Sequence, residues 1–259
     1  MVSLISSGRL GNLLFQTAAC IGYALRHDLE FHIPHKSAAL LTAGHLSHLH
    51  NPKYDPGEEE VLLKEYGFQY QSIPFMKEWG KKNIVLSGQW QSLKYFDHCL
   101  SQIRTLFGFP WNPRPGVISL HKRLGDYRDL PLHHPVISDS YIYSALLYFS
   151  HKGYKKFKVF SDDIAECRAK LNSTLYSSLE FEYSEGKSAW EDLHLMSECE
   201  GHIISNSTFS WWAAVLNQNP DKIVVTPHED NWFGPYYKYV NVSTLLPEEW
   251  VRIRTDNPL

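Results

Sequence analysis

Along the chain, short runs of consecutive apolar residues alternate with longer stretches whose apolar positions recur every three or four residues. VSLIS (2–6) has the first form and predicts a short buried strand. In NLLFQTAACIGYALRH (12–27), Leu14, Ala18, Ile21 and Leu25 keep close to a 3.6-residue period, which predicts a helix. LEFHI (29–33) is a second strand, ended by Pro34. Strand, glycine turn, helix, strand is a βαβ unit and implies a parallel sheet covered by helices. Residues 36–80 are rich in His and Pro and are expected to form a variable, partly helical insertion. NIVLSG (83–88) then gives a strand, and KYFDHCLSQIRTLF (94–107) a helix.

FPWNPRPG (109–116) has three prolines and reads as a linker. The alternation restarts after it. Strands are expected at GVISLH (116–121), FKVFS (157–161), LEFEY (179–183), GHIIS (201–205) and KIVVT (222–226), with helices near 138–150, 163–171, 188–199 and 208–217. The expected architecture is therefore α/β with two Rossmann-like halves, 1–112 and 113–259. Ligands of such sheets bind beyond the carboxyl ends of the strands.

Composition narrows the function classes. A net charge of -3 and a pI near 6.5 argue against a nucleic-acid partner, which needs a basic face. The cysteines at 20, 99, 167 and 199 are widely spaced without a CxxC pair, so thiols are expected rather than a disulfide framework. No leader and no 20-residue apolar span is visible, which predicts a soluble, cytoplasmic chain without a transmembrane segment. The sequons at Asn172, Asn206 and Asn241 are then expected to carry no glycan.

Four segments could carry chemistry, each where a strand gives way to a loop or helix. HKRLGD (121–126) follows the strand GVISL, and alternation puts His121 and Arg123 on one side. An arginine there can bind phosphate in bidentate fashion, or simply pair with Asp126. FSDD (160–163) offers Asp162 and Asp163 as metal ligands, as helix caps or as acceptors for the N1 and N2 hydrogens of guanine. SNST (205–208) precedes FSWWAAVLN and supplies more polar residues than one cap needs. Helix N–H groups and added hydroxyls make an anion site there, with Asn206, Ser207, Thr208, Phe209 and Ser210 its members, while Trp211, Trp212 and Leu216 pack inward. SGRLGN (7–12) resembles a glycine turn but lacks the full pattern of a dinucleotide or P-loop motif. The histidines at 45, 48, 50, 133 and 134 read as loop or surface residues.

Taken together, GRLGNLLFQTA, GQWQSLKYF, SLHKRLGDY, FSDD, DLHLMSEC and IISNSTFSWWAAVLN resemble, in order and spacing, the galactoside α-1,2-fucosyltransferase family. The resemblance runs from about residue 5 to about residue 252. It implies a GT-B-like fold whose two domains face a cleft, with the N-terminal half on the acceptor side, the C-terminal half binding GDP-fucose, and the last segment crossing back. It further implies inverting transfer of L-fucose to the 2-hydroxyl of a galactose-containing glycan, with no metal and no cofactor. By resemblance Arg123 holds the pyrophosphate with Ser207 and Thr208, and His121 with Asp162 or Asp163 faces the guanine. Gly8, Arg9, Gly11 and Asn12 approach the fucose or acceptor. Asp126 is the nearest carboxylate to this site and a candidate base or structural partner. Leu13, Thr17 and Lys122 depart from the family pattern. Two other outcomes are a fucosyltransferase for a different glycan or protein acceptor, and a catalytically inactive nucleotide-sugar or glycan-binding protein.

Overall fold

A computed structural model describes residues 1–34 and 46–254. The chain divides into two compact units. Unit 1 comprises Met1–Pro110 with Val240–Pro247, and unit 2 comprises Trp111–Tyr239 with Glu248–Leu259. His45 and most of the first part of the 36–80 segment fall outside the described residues.

Unit 1 is built on the parallel strands β1 (Val2–Ile5), β2 (Glu60–Lys64) and β3 (Asn83–Ser87), in the order β1-β3-β2. The central β3 is buried from Asn83 to Leu86, as a strand covered on both faces must be. Helix α1 (Leu10–Arg26) packs on β1 and buries Leu13, Leu14, Phe15, Ala18 and Ile21. LEFHI does not extend into a ladder strand. Only Phe31 bridges Val2, through Val2 N to Glu30 O at 2.8 Å and His32 N to Val2 O at 2.7 Å. Asp28, in the left-handed region at φ 53°, turns the chain just before it, and Pro34 has no N–H to continue it. The strand EVLLK within the expected insertion takes the other place in the sheet. It is an edge strand with Leu62 half exposed, so it lacks the apolar run that marks a central strand. The predicted helix 94–107 is regular only at α2 (Leu100–Leu106). Ahead of it the Asp97 carboxylate accepts from its neighbour His98 N at 2.6 Å, a local bond that competes with helical pairing.

Unit 2 contains β4 (Arg114–Lys122), α3 (Asp139–His151), β5 (Lys156–Ser161), α4 (Ile164–Leu171), β6 (Glu180–Tyr183), α5 (Ala189–Ser197), β7 (Cys199–Ile203), α6 (Thr208–Leu216), β8 (Val224–Pro227) and β9 (Val251–Ile253). All six strands are parallel in the order β6-β5-β4-β7-β8-β9. β4 begins inside the expected linker, and its register against β7 shifts between Arg114 and Ile118. The three-residue β9 is too short for its pattern to announce it. Ile118, Leu120, Phe157, Val159, Ile203 and Val225 form the core with Tyr141, Leu146 and Phe149 of α3. Ser138 caps α3, and Ser188 with Glu191 makes a capping box on α5. Beneath α6 a buried His202 lies 2.8 Å from Ser119 Oγ and 2.7 Å from Asn217 Nδ2. The four cysteines are free and buried. Among the described residues no helix is long and apolar enough to cross a membrane.

The strand order of unit 2 has one reversal. From β4 the chain adds β5 and β6 on one side, then returns to place β7, β8 and β9 on the other. The carboxyl ends of β4 and β7 therefore flank the topological switch point, where open α/β sheets hold their ligands.

Candidate functional site

The loop after β4 carries Arg123 and the loop after β7 carries Ser205–Ser207, so the two segments meet at that switch point. Their contact is direct: the Tyr127 hydroxyl donates to Asn206 O at 3.1 Å, and the His121 ring lies 5.4 Å from that of Phe209.

Arg123 is held by three neighbours. Nη1 pairs with Asp162 Oδ2 at 2.7 Å, Nη2 donates to Asp126 Oδ1, and the guanidinium carbon stands 5.5 Å from the Tyr127 ring centroid. Two carboxylates do not exhaust the five N–H donors of a guanidinium, so the fork keeps capacity for an anion. Asp162 also accepts from Leu124 N at 2.8 Å, and a Cβ at Gly125 would fall on its carboxylate. Glycine lets the β4 loop close against the β5 end.

Asp163 has a different task. Its carboxylate caps α4 by accepting from Glu166 N at 3.0 Å and pairs with Arg128 at 3.0 Å. The Glu166 amide, and after it Arg128, hold this carboxyl below its usual range. Adjacent in sequence, Asp162 and Asp163 thus serve separate partners. Among the described residues no group of three or more His, Cys, Asp or Glu is arranged to hold a metal ion.

His121 is buried with Nδ1 lacking a hydrogen-bond partner among the described residues. Burial, reinforced by Arg123 and opposed by Asp162, lowers its pKa to about 3. The ring is therefore neutral at physiological pH.

The four polar residues before α6 divide their duties. Ser205 N donates to Ser210 Oγ at 3.3 Å, and Ser205 Oγ to Asn206 Oδ1 at 3.2 Å. Asn206 Nδ2 donates to Pro135 O at 2.9 Å and Trp232 O at 3.1 Å, joining two loops. Ser207 is the cap, accepting from Phe209 N at 3.4 Å, and Ser210 donates to Ser207 O at 3.3 Å. Thr208 opens the helix. Ser205 and Asn206 are loop staples, and Ser207, Thr208 and the first amides of α6 form the N-terminal end of the helix, the end whose dipole favours negative charge. Trp211, Trp212 and Leu216 are buried behind them.

Unit 1 holds the other predicted residues. Gly8 has φ 86°, Arg9 is the exposed residue before α1, Gly11 is buried in its first turn, and Asn12 projects beside Gly8. A Cβ on Gly8 would meet Asn12 Nδ2 at 2.6 Å.

Sequence reasoning missed three features. Tyr127 joins the two loops of unit 2, and its position next to HKRLGD was the available signal. Lys122, on the reverse side of β4, is buried and paired with Asp139, which also binds Lys170 at 2.9 Å. These charges line a pocket of ≈ 180 Å³ with Leu120, Ile142 and Tyr176. The Gln89–Gln91 turn of unit 1 forms an amide cluster with Asn12, Gln16 and Ser7.

Residues 76–253 match the family described as Glycosyl transferase family 11. An α-1,2-colitosyltransferase of Escherichia coli is 30% identical over 190 residues, covering 67% of this chain and 63% of that protein. An O-antigen biosynthesis glycosyltransferase, WbnK, of Escherichia coli is 36% identical over 143 residues, 52% of this chain and 44% of that protein. The chain thus spans less than two thirds of the length of these two bacterial relatives. Galactoside α-(1,2)-fucosyltransferase 1 of Alouatta belzebul is 25% identical over 288 aligned positions, 98% of this chain and 75% of that protein. Among solved structures, an Arabidopsis thaliana FUT1 mutant in complex with GDP superposes with TM-score 0.51 at 12% identity, covering 90% of this chain and 73% of that one. POFUT1 in its apo-form gives 0.50 at 13% identity, covering 87% and 97%. The fold is α/β and GT-B-like, shared with these fucosyltransferases.

Proposed function

The chain belongs to Glycosyl transferase family 11, and on that footing we propose that it moves L-fucose from GDP-fucose to the 2-hydroxyl of a β-galactoside with inversion. The observation that carries this is the pairing of the Arg123 loop and the α6 N-terminus across the β4/β7 switch point, tied by Tyr127 and Asn206. A cationic fork beside a helix N-terminus suits a diphosphate.

In this reaction the acceptor oxygen forms its bond to the fucose anomeric carbon as the bond to the β-phosphate oxygen breaks. Negative charge grows on the departing GDP, and its phosphate takes up the acceptor's proton late in the step. Arg123 and the donors at Ser207 and Thr208 meet that charge where it develops, as an oxyanion hole does. Asp126 and Asp162 hold the guanidinium in place. His121 offers the guanine an Nδ1 that has no partner among the described residues, beside the Phe209 ring. Asp162 and Asp163 are engaged by Arg123, Leu124 N, Glu166 N and Arg128, which favours a positioning and capping role for these two carboxylates over metal ligation. Asp126 is bound to Arg123 and acts by positioning it.

The similarity to a colitosyltransferase favours a second reading, in which colitose replaces fucose on the donor. The deciding experiment is transfer from GDP-fucose and GDP-colitose to a panel of β-galactosides, with and without EDTA. A 1,2-linked fucosyl product under both conditions is expected. Activity abolished by EDTA would return Asp162 and Asp163 to a metal role. GDP release without glycan product would leave the donor site standing and the acceptor wrong. Preference for GDP-colitose would transfer the assignment to that sugar, and inactivity with both donors would sink the proposal.

A further inference from the structure

Unit 1 repeats the strand logic of unit 2 on a smaller scale. β1 carries the Phe31 bridge on one side and β3 on the other, so its strand order also reverses, between β1 and β3. Two turns leave carboxyl ends there, Ser7–Asn12 after β1 and Gln89–Gln91 after β3. Their side chains form one amide cluster. Gln16 Nε2 donates to Ser7 O at 3.0 Å and to Gln89 Oε1 at 3.4 Å, Gln89 Nε2 donates to Ser7 Oγ at 3.1 Å, and Gln91 Nε2 donates to Asn12 Oδ1 at 3.2 Å.

This cluster does not satisfy itself. Gln91 is 4% exposed, and its Oε1 has no hydrogen-bond partner among the described residues. Turning the amide over only exchanges an unpaired carbonyl for an unpaired NH2 group. Its neighbour Trp90 sits at φ 53°, a left-handed backbone that a bulky residue adopts under strain, and its buried Nε1 is also unpartnered among those residues. Glu65, directly after β2, fixes the strained turn. Its Oε2 accepts from Gln89 N at 2.6 Å and Trp90 N at 2.8 Å, and the carboxylate also faces the Tyr95 hydroxyl. Strain and unpaired polar atoms gather at one turn beside a switch point, where a ligand supplies what the protein lacks.

The contact chemistry is amide, hydroxyl and indole. Amides donate and accept side by side, as the hydroxyls of a sugar do, whereas a phosphate calls for cations or a row of N–H groups. We infer that the Gln89–Gln91 turn is the acceptor-sugar subsite, where a hydroxyl of a neutral glycan donates to Gln91 Oε1 and Glu65 positions the turn. The assignment rests on the transferase reading and names acceptor contacts that reading leaves open.

The test uses the full chain with methyl β-galactoside as glycan probe and GDP as donor-side probe. Gln91→Met keeps the length of the side chain and removes its polar head. In a saturation-transfer titration the wild type binds the galactoside, and Gln91→Met weakens it at least tenfold while GDP affinity stays within twofold. In turnover, Gln91→Met and Glu65→Gln raise the acceptor KM at least fivefold and leave the donor KM in place, a split that mere loosening of the fold would not give. Unchanged acceptor affinity and KM in Gln91→Met, or a wild type that binds GDP but no methyl β-galactoside, would overturn the subsite. A wild type that binds the galactoside but neither GDP nor GDP-fucose would keep the subsite and overturn the donor reading.

Discussion

The carboxylate of Asp162 occupies the space beside Gly125 that a Cβ there would need. The same carboxylate pairs with Arg123 Nη1 at 2.7 Å and accepts from Leu124 N at 2.8 Å, so one methyl group at Gly125 disturbs three groups together. Gly125→Ala is expected to cost about 1–3 kcal/mol of stability through overpacking, and to lower kcat/KM at least tenfold by turning the guanidinium. Urea unfolding and turnover on one preparation check this. A fully active, equally stable variant would show that Asp162 has room to move.

Arg123→Lys keeps the charge and loses the planar fork. Turnover should fall about a hundredfold, the ~3 kcal/mol typical of a lost charge-stabilising donor, while the unfolding midpoint changes little. Activity within fivefold of wild type would remove Arg123 from the leaving-group role.

Asn206 Nδ2 donates to two carbonyls, Pro135 O and Trp232 O. Asn206→Asp keeps the shape and sets a carboxylate against both oxygens. It should destabilise the fold by about 2–5 kcal/mol, visible in chemical unfolding, with Asn206→Ala less severe. Equal effects of the two substitutions would mean that the donors matter little.

His121 and His202 both have pKa values lowered to about 3, chiefly by burial, against about 6.5 in an unfolded chain. Between these values the unfolded chain binds more protons, so stability falls as pH drops below about 6.5. Each ring contributes about 1.4 kcal/mol per pH unit. His202→Gln should therefore flatten the stability profile between pH 6 and 5 by that amount, whatever its effect at pH 8. Parallel profiles would place the acid sensitivity elsewhere.

The larger unit was the more legible in the sequence. Its central strands are buried where β4, β7 and β8 lie side by side, and continuous runs such as VISL and HIIS mark them. Unit 1 was harder, because β2 is a half-exposed edge strand inside a stretch rich in His and Pro, and Phe31 contributes a single bridge where LEFHI suggested a strand. The segments of the candidate site were visible because polar residues interrupt the pattern at strand ends. Their division of labour was not visible. Whether a serine caps, staples or faces a ligand depends on which carbonyl lies 3 Å away, and for Asn206 those carbonyls lie 71 and 26 residues off. The Glu65 contact to Gln89 and Trp90 was hidden for the same reason.

Residues 240–247 belong to unit 1, where Thr244 Oγ1 accepts from Tyr70 N at 2.6 Å and Thr244 O from Ser92 Oγ at 2.9 Å. Unit 1 is thus completed by a segment that follows nearly all of unit 2 in the chain. At about 5–20 residues per second, unit 1 waits on the order of ten seconds for its closing piece while unit 2 emerges. Cutting the gene after residue 110 gives an incomplete unit 1, and a nascent chain stalled before residue 240 exposes the backbone at Tyr70 that Thr244 would cover.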